Sequence, residues 1–189
     1  MLIIGSRLQA IGIIGHMAGH GYGGRYRRLL CQLTFLPLGL SPEKYRKFHF
    51  AHHRYLGTKA DPELAYINQF RHKWERPRLR DSVADLLGLN VHEFVAILRP
   101  IADAKSIALL LGFLALLALA IGPLILVLLA SYVTTLMFVF RLRYRAEHDH
   151  VNRPGHTFWM VEPPLWVRLL YLPHGHWRHA DHHNGVKGA

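Results

Sequence analysis

From Ile107 to Phe140 the chain carries no charged residue: IALLLGFLALLALAIGPLILVLLASYVTTLMFVF. That is far longer than a soluble core helix needs, so the segment belongs in a bilayer. As one straight helix it would reach about 51 Å at 1.5 Å per residue, well past a hydrocarbon core of roughly 30 Å. Gly122 and Pro123 stand near its middle, where proline breaks helical hydrogen bonding and glycine accepts turn dihedrals. The spacing therefore predicts a transmembrane hairpin of two short arms. Lys105 precedes the run and Arg141, Arg143 and Arg145 follow it; because basic residues favour the cytoplasmic side, both ends are expected there. A single kinked helix would leave one basic flank outside. A second apolar segment, Leu2 to Met17, is interrupted by Ser6, Arg7 and Gln9 and is just long enough for half a hairpin. A signal peptide is the competing reading, but no small-residue cleavage site stands clear, and His16 and His20 follow directly.

Charge placement divides the rest. Lysine and arginine total 23 against 12 acidic residues, a net charge of +11. All of the basic residues except Arg7 lie in residues 21–106 and 141–189, interleaved with aromatics such as Tyr22, Tyr26, Tyr45, Phe48, Phe50 and Trp74. Nucleic acid, an acidic redox partner or anionic headgroups would each suit such a surface. No nucleic-acid recognition motif accompanies the charge, and beside a membrane span the lipid surface or an acidic electron donor is the expected contact. These two stretches are read as the cytoplasmic face. At 189 residues the chain is long enough for one domain, with no internal repeat or low-complexity linker. Cys31 is its one cysteine, which excludes an internal disulfide and a thiolate metal cluster.

Histidine, by contrast, occurs 15 times, in three compact clusters: His16-Met-Ala-Gly-His20, His49-Phe-Ala-His52-His53 and His179-Ala-Asp-His182-His183. Residues three and four apart share a helix face, so each cluster can aim two or three imidazoles at one point. Eight nitrogens exceed the need of one tetrahedral zinc and suit two metals, each with a position open for dioxygen or water. The hairpin brings all three clusters to one side of the membrane. Residues 107–140 contain no histidine, which argues against a metal or proton conduit crossing the bilayer. His72, His92 and His156 stand alone and read as surface histidines.

These residues resemble a family. HMAGHGYGGRYRRLLCQLTFLPLGLSPEKYRKFHFAHHRYLGTKADPEL is similar to the first two histidine boxes of membrane fatty acid desaturases, including a trailing Asp-Pro. RLRYRAEHDH and PHGHWRHADHH are similar to their later Ala-Glu-His element and third box. The resemblance covers most of the chain. It implies an all-α fold, transmembrane helices below and a cytoplasmic helical cap above, with two non-haem iron ions at the junction. It also implies metal ligands at His16, His20, His49, His52, His53, His179, His182 and His183, with His148 as a ninth. His174 is the next candidate, followed by His150 and His176. The family usually places an acidic residue directly after the first box histidine, where Met17 stands here. It also carries more chain before the first box and after the third, so a fragment or a minimal relative is expected.

The implied activity is dioxygen-dependent desaturation of a lipid acyl chain, with electrons from an external ferredoxin, cytochrome b5 or reductase. Arg178 to His183 is also similar to the last box of membrane alkane hydroxylases. Their second box has an extra glycine before the paired histidines, which His49 to His53 lacks. Hydroxylation, or metal binding without turnover, is the alternative. Two further matches are set aside. Gly19 to Gly24 fits GxGxxG, but the following strand position, LPLGLSP, is broken by prolines. His16 to His20 has the spacing of a zinc-protease helix, but Met17 occupies the general-base position.

Overall fold

The computed structural model describes residues 1–56, 58–63, 65, 78–148 and 164–166, with backbone alone at 142–148. The described residues contain helices and turns and no strand. In chain order they form α1 (Leu2–Gly19), α2 (Arg27–Phe35), α3 (Pro42–Tyr55), α4 (Leu79–Leu86), α5 (Val91–Leu98), α6 (Ala104–Ile121), α7 (Ile125–Val133) and α8 (Thr135–His148). Single 3-10 turns occupy Gly24–Tyr26, Leu36–Leu38 and Gly122–Leu124.

α1 is the packing centre, lying against α2 on one flank and α8 on another. Small residues make both approaches possible. A side chain at Gly15 would collide with the ring of Phe35, and one at Gly5 would come within 2.7 Å of the Leu136 backbone nitrogen. Phe35 is consequently buried with Leu40 and Ile101, and Tyr45 and Phe48 pack against that group. The chain turns from α1 into α2 through Gly21, Gly23 and Gly24, all with positive φ. A helix, not a strand, therefore precedes the glycine run, as its rejection as a nucleotide loop requires.

The apolar run reverses at Gly122, whose φ of 56° suits glycine. Leu110, before the turn, touches Gly39, while the Tyr132 hydroxyl, after it, donates to the Pro37 carbonyl. Both arms thus return to one short segment, which a single extended helix would hold far from one end or the other. None of the most apolar window of this run is buried. Leu111, Leu116, Leu119, Leu124 and Leu126 all point outward. The run and α1 are the two helical stretches, among the described residues, long and apolar enough to cross a membrane.

The second arm is interrupted between α7 and α8. Ser131 and Thr134 turn their hydroxyls back onto the carbonyls of Val127 and Ala130, at 2.7 and 2.6 Å, a pattern that bends helices. Thr135 then donates to the Met1 carbonyl at 3.1 Å, fixing the start of α8 against the first turn of α1.

Candidate metal centre

α3 carries the second histidine cluster. Pro42 sits at its N-terminus, where proline's fixed φ and missing N–H cost nothing. Glu43 lies in the first turn and His52, His53 and Arg54 in the last, an order that complements the helix dipole. The Ser41 amide donates to the Ile101 carbonyl at 2.9 Å, anchoring the helix start to the segment before α6. Tyr45, His49 and His53 follow at intervals of four, so they share a face, and that face meets the end of α1.

There the first two clusters meet. His16, His20 and His49 each offer a ligand atom, all within 4.8 Å of one another. The His49 Nε2 atom lies 2.7 Å from His20 Nε2 and 2.8 Å from His53 Nε2, so a fourth imidazole joins them. His16 and His49 are buried, whereas His20 lies at the edge.

This donor set fits a transition-metal ion. A neutral imidazole nitrogen has one in-plane lone pair and serves one in-line N–H donor, so two nitrogens pressed on His49 Nε2 crowd it. Two nitrogens bound at right angles to one ion at about 2.1 Å would stand roughly 3 Å apart, close to the separations seen. All-imidazole sets suit iron, zinc, copper and nickel rather than calcium or magnesium.

Second partners orient the rings. His16 Nδ1 meets the Tyr45 hydroxyl at 2.9 Å. The His49 ring stacks on that of Tyr45, with centroids 5.5 Å apart. His52 faces differently: its Nδ1 meets Asp61 at 2.9 Å and its Nε2 lies 3.2 Å from Glu63. Its ring centroid is 6.1 Å from that of His49. Asp61 also accepts from the Glu63 backbone amide at 2.9 Å, so the two acidic residues are placed together.

The surroundings set opposite protonation tendencies. Burial and the neighbouring His53 push His20 down to about 4, favouring the neutral, metal-binding form. Burial also disfavours charge on His52, but Glu63 and the hydrogen bond and charge of Asp61 outweigh it, and its pKa is raised.

Sequence reading singled out His16, His20, His49, His52 and His53 but assigned no role to Tyr45, Asp61 or Glu63. Tyr45 stands four before His49, a spacing that puts both on one helix face. Asp61 was visible in the Asp-Pro element trailing the second box. Glu63 carried no signal, because its approach to His52 depends on a turn after α3. His148 ends α8, whose backbone alone is described there. His150, His174, His176, His179, His182 and His183 lie outside the described residues, as do His72 and His156. His92 is exposed on α5.

A protein-family model, fatty acid desaturase, matches residues 1–184. No curated protein and no solved structure matches the chain at a comparable standard. The family match spans both the apolar hairpin and all three histidine clusters, and with the two long apolar helices it points to a membrane-associated protein. The chain belongs to the fatty acid desaturase family.

Proposed function

We propose that this protein is a multi-pass membrane oxidoreductase that desaturates a lipid acyl chain at a two-iron centre on the cytoplasmic side. The observation that carries the reading is the meeting of His16, His20 and His49, drawn from two boxes about thirty residues apart, with their ring nitrogens gathered together and His53 against His49. Ligands beyond these are proposed from the family pattern: His52, His148, His179, His182 and His183. The path of α8 supports His148. The helix starts against Gly5, packs along α1 and rises about 20 Å over its length at 1.5 Å per residue, close to the rise from Gly5 to the His16–His20 turn.

When bound, two iron ions would supply reductive activation of dioxygen and removal of hydrogen from an unactivated C–H bond. The balance requires one O2, two electrons and two protons for each CH2–CH2 converted to CH=CH, with two waters released. The chain shows no flavin, haem or nicotinamide motif, so the electrons are assigned to an external donor of ferredoxin, cytochrome b5 or reductase type. Tyr45 orients His16, and Asp61 orients His52 through Nδ1, with Glu63 beside the Nε2 that would face a metal. Such outer partners fix ring rotation and tautomer and raise ligand basicity. Phe35, Leu40 and Ile101 form an apolar floor beneath Tyr45 that keeps water from the inner face of the cluster.

The test is metal content and product together. Protein purified in detergent and loaded with ferrous iron is expected to hold two irons per chain. With O2 and a reduced donor it converts membrane acyl chains to products lacking two hydrogens, read by mass spectrometry. Gain of one oxygen atom instead would make it a hydroxylase of the same family. One zinc, or no bound metal, would sink the reading.

A further inference from the structure

The segment between the second histidine cluster and the apolar run contains an inside-out element. α4 and α5 are joined through a turn at Leu87–Asn90, with Gly88 at a φ of 73° and Asn90 donating back to the Asp81 carbonyl and the Asp85 carboxylate. Its acidic side chains point inward: Asp81, Asp85 and Glu93 are all buried, the last at 0% exposure. Asp85 and Glu93 converge on Arg141 of α8, while Asp81 caps the start of α4 by accepting from the Arg78 amide at 2.8 Å. The Arg141 guanidinium donates to both oxygens of Asp85 at 2.7 and 2.9 Å and to Glu93 at 3.0 Å, while Asn90 donates to Asp85 at 2.8 Å. Phe94 and Ile97 pack on Met137 beside this cluster.

The outer surface is the reverse. Val83, Leu86, Leu87, Leu89, Val91 and Val95 are exposed, with Leu87 and Leu89 at the tip each 66% accessible. Between residues 83 and 98, His92 is the one exposed ionisable side chain. Charge reappears outside at the ends away from the turn, on Arg80 and Arg99. In water an amphipathic helix pair turns its acids out and its leucines in. Charges folded inward and paired, with leucines outward, are the arrangement required beside hydrocarbon. The tip also adjoins the apolar run: Gly88 lies against the backbone of Val133, which is itself exposed, as are Val127 and Leu129.

We propose that α4 and α5 form a re-entrant wedge whose leucine tip enters the acyl-chain region of the leaflet next to the histidine clusters, with Arg141 satisfying the carboxylates it carries. Each helix has eight residues, about 12 Å at 1.5 Å per residue, so the wedge reaches into one leaflet and returns rather than crossing roughly 30 Å. Both helices satisfy their own backbone hydrogen bonds, as hydrocarbon demands. The occupant of this surface is lipid because the surface continues the apolar face of α7 and offers no exposed charge along its length. The wedge rests on the reading that the α6–α7 hairpin lies in a bilayer.

Nitroxide labels on single cysteines test it in the full chain, in a Cys31→Ser background, reconstituted at low density in phospholipid vesicles. Labels are placed at Leu87→Cys, Leu89→Cys and Val95→Cys, with Leu119→Cys on the hairpin arm and Lys47→Cys on exposed α3 as references. Collision with dissolved oxygen, which concentrates in hydrocarbon, is compared with collision with a water-soluble nickel chelate. Labels at 87, 89 and 119 are expected to show oxygen-to-chelate ratios several-fold above that at 47, with the label at 95 between them. Chelate access at 87 and 89 while 119 is protected would overturn the wedge and leave the membrane hairpin standing. Chelate access at 119 as well would overturn both. Low access to both reagents at 87 and 89 would show protein covering the tip and would also overturn the proposal.

Discussion

Two of the buried polar clusters among the described residues handle buried polarity in opposite ways. Between α4, α5 and α8, two carboxylates surround a guanidinium that the chain itself supplies. Between α1 and α3, the imidazoles of His16, His20 and His49 gather their nitrogens, with His53 against His49. The first is closed on its own charges, and the second is a donor set that could hold a metal ion. A buried charge must be paired to be tolerated, whereas buried neutral imidazoles can wait for a metal.

The largest effect that could break this contrast is on the ionic cluster. Arg141→Met leaves Asp85 and Glu93 buried without their partner and is expected to cost about 3–5 kcal/mol of stability, read by thermal or denaturant unfolding in detergent. Replacing the whole group by apolar residues, Arg141→Met with Asp85→Leu and Glu93→Met, should recover most of that loss. If the single variant unfolds as the parent does, the Arg141 cluster does not hold the fold together.

Next in size is the response to metal. Ferrous iron at about 100 times its dissociation constant should stabilise the parent by roughly 2.7 kcal/mol. His49→Ala is expected to abolish this stabilisation while changing the metal-free protein little. Asp61→Asn and Tyr45→Phe, which disturb only ring orientation, should weaken metal binding by about 10–100-fold, measured by competition with a chelator. Equal losses from all three would erase the distinction between ligands and their supports.

The smallest effect is the pH dependence of the metal-free protein. His20 titrates near 6.5 when unfolded and at about 4 when folded, so between these values the unfolded chain binds more protons. Its contribution to stability is present above 6.5 and is lost as pH falls toward 4. His52 has the opposite sign: its folded pKa is raised, so its contribution is full below the unfolded value and is lost as pH rises through the folded one. Glu63→Gln should remove much of the His52 component and leave the acid-side loss in place, seen in unfolding midpoints across pH.

Much of this was legible without coordinates because it is periodic or local. The uncharged run with Gly122 and Pro123 at its centre required a reversal, since one straight helix would overreach a bilayer. The histidine spacings of three and four required shared helix faces, and the resemblance they carry is matched by the family found for the chain. What periodicity could not contain was the polarity of α4 and α5. Asp85 and Glu93 read along the chain as part of a charged, water-facing stretch, and only the distant Arg141 turns them inward and the leucines out. The same holds for Glu63 beside His52. Spacing determines which side chains share a face of their own helix, while the face that meets a partner depends on contacts between segments far apart in sequence.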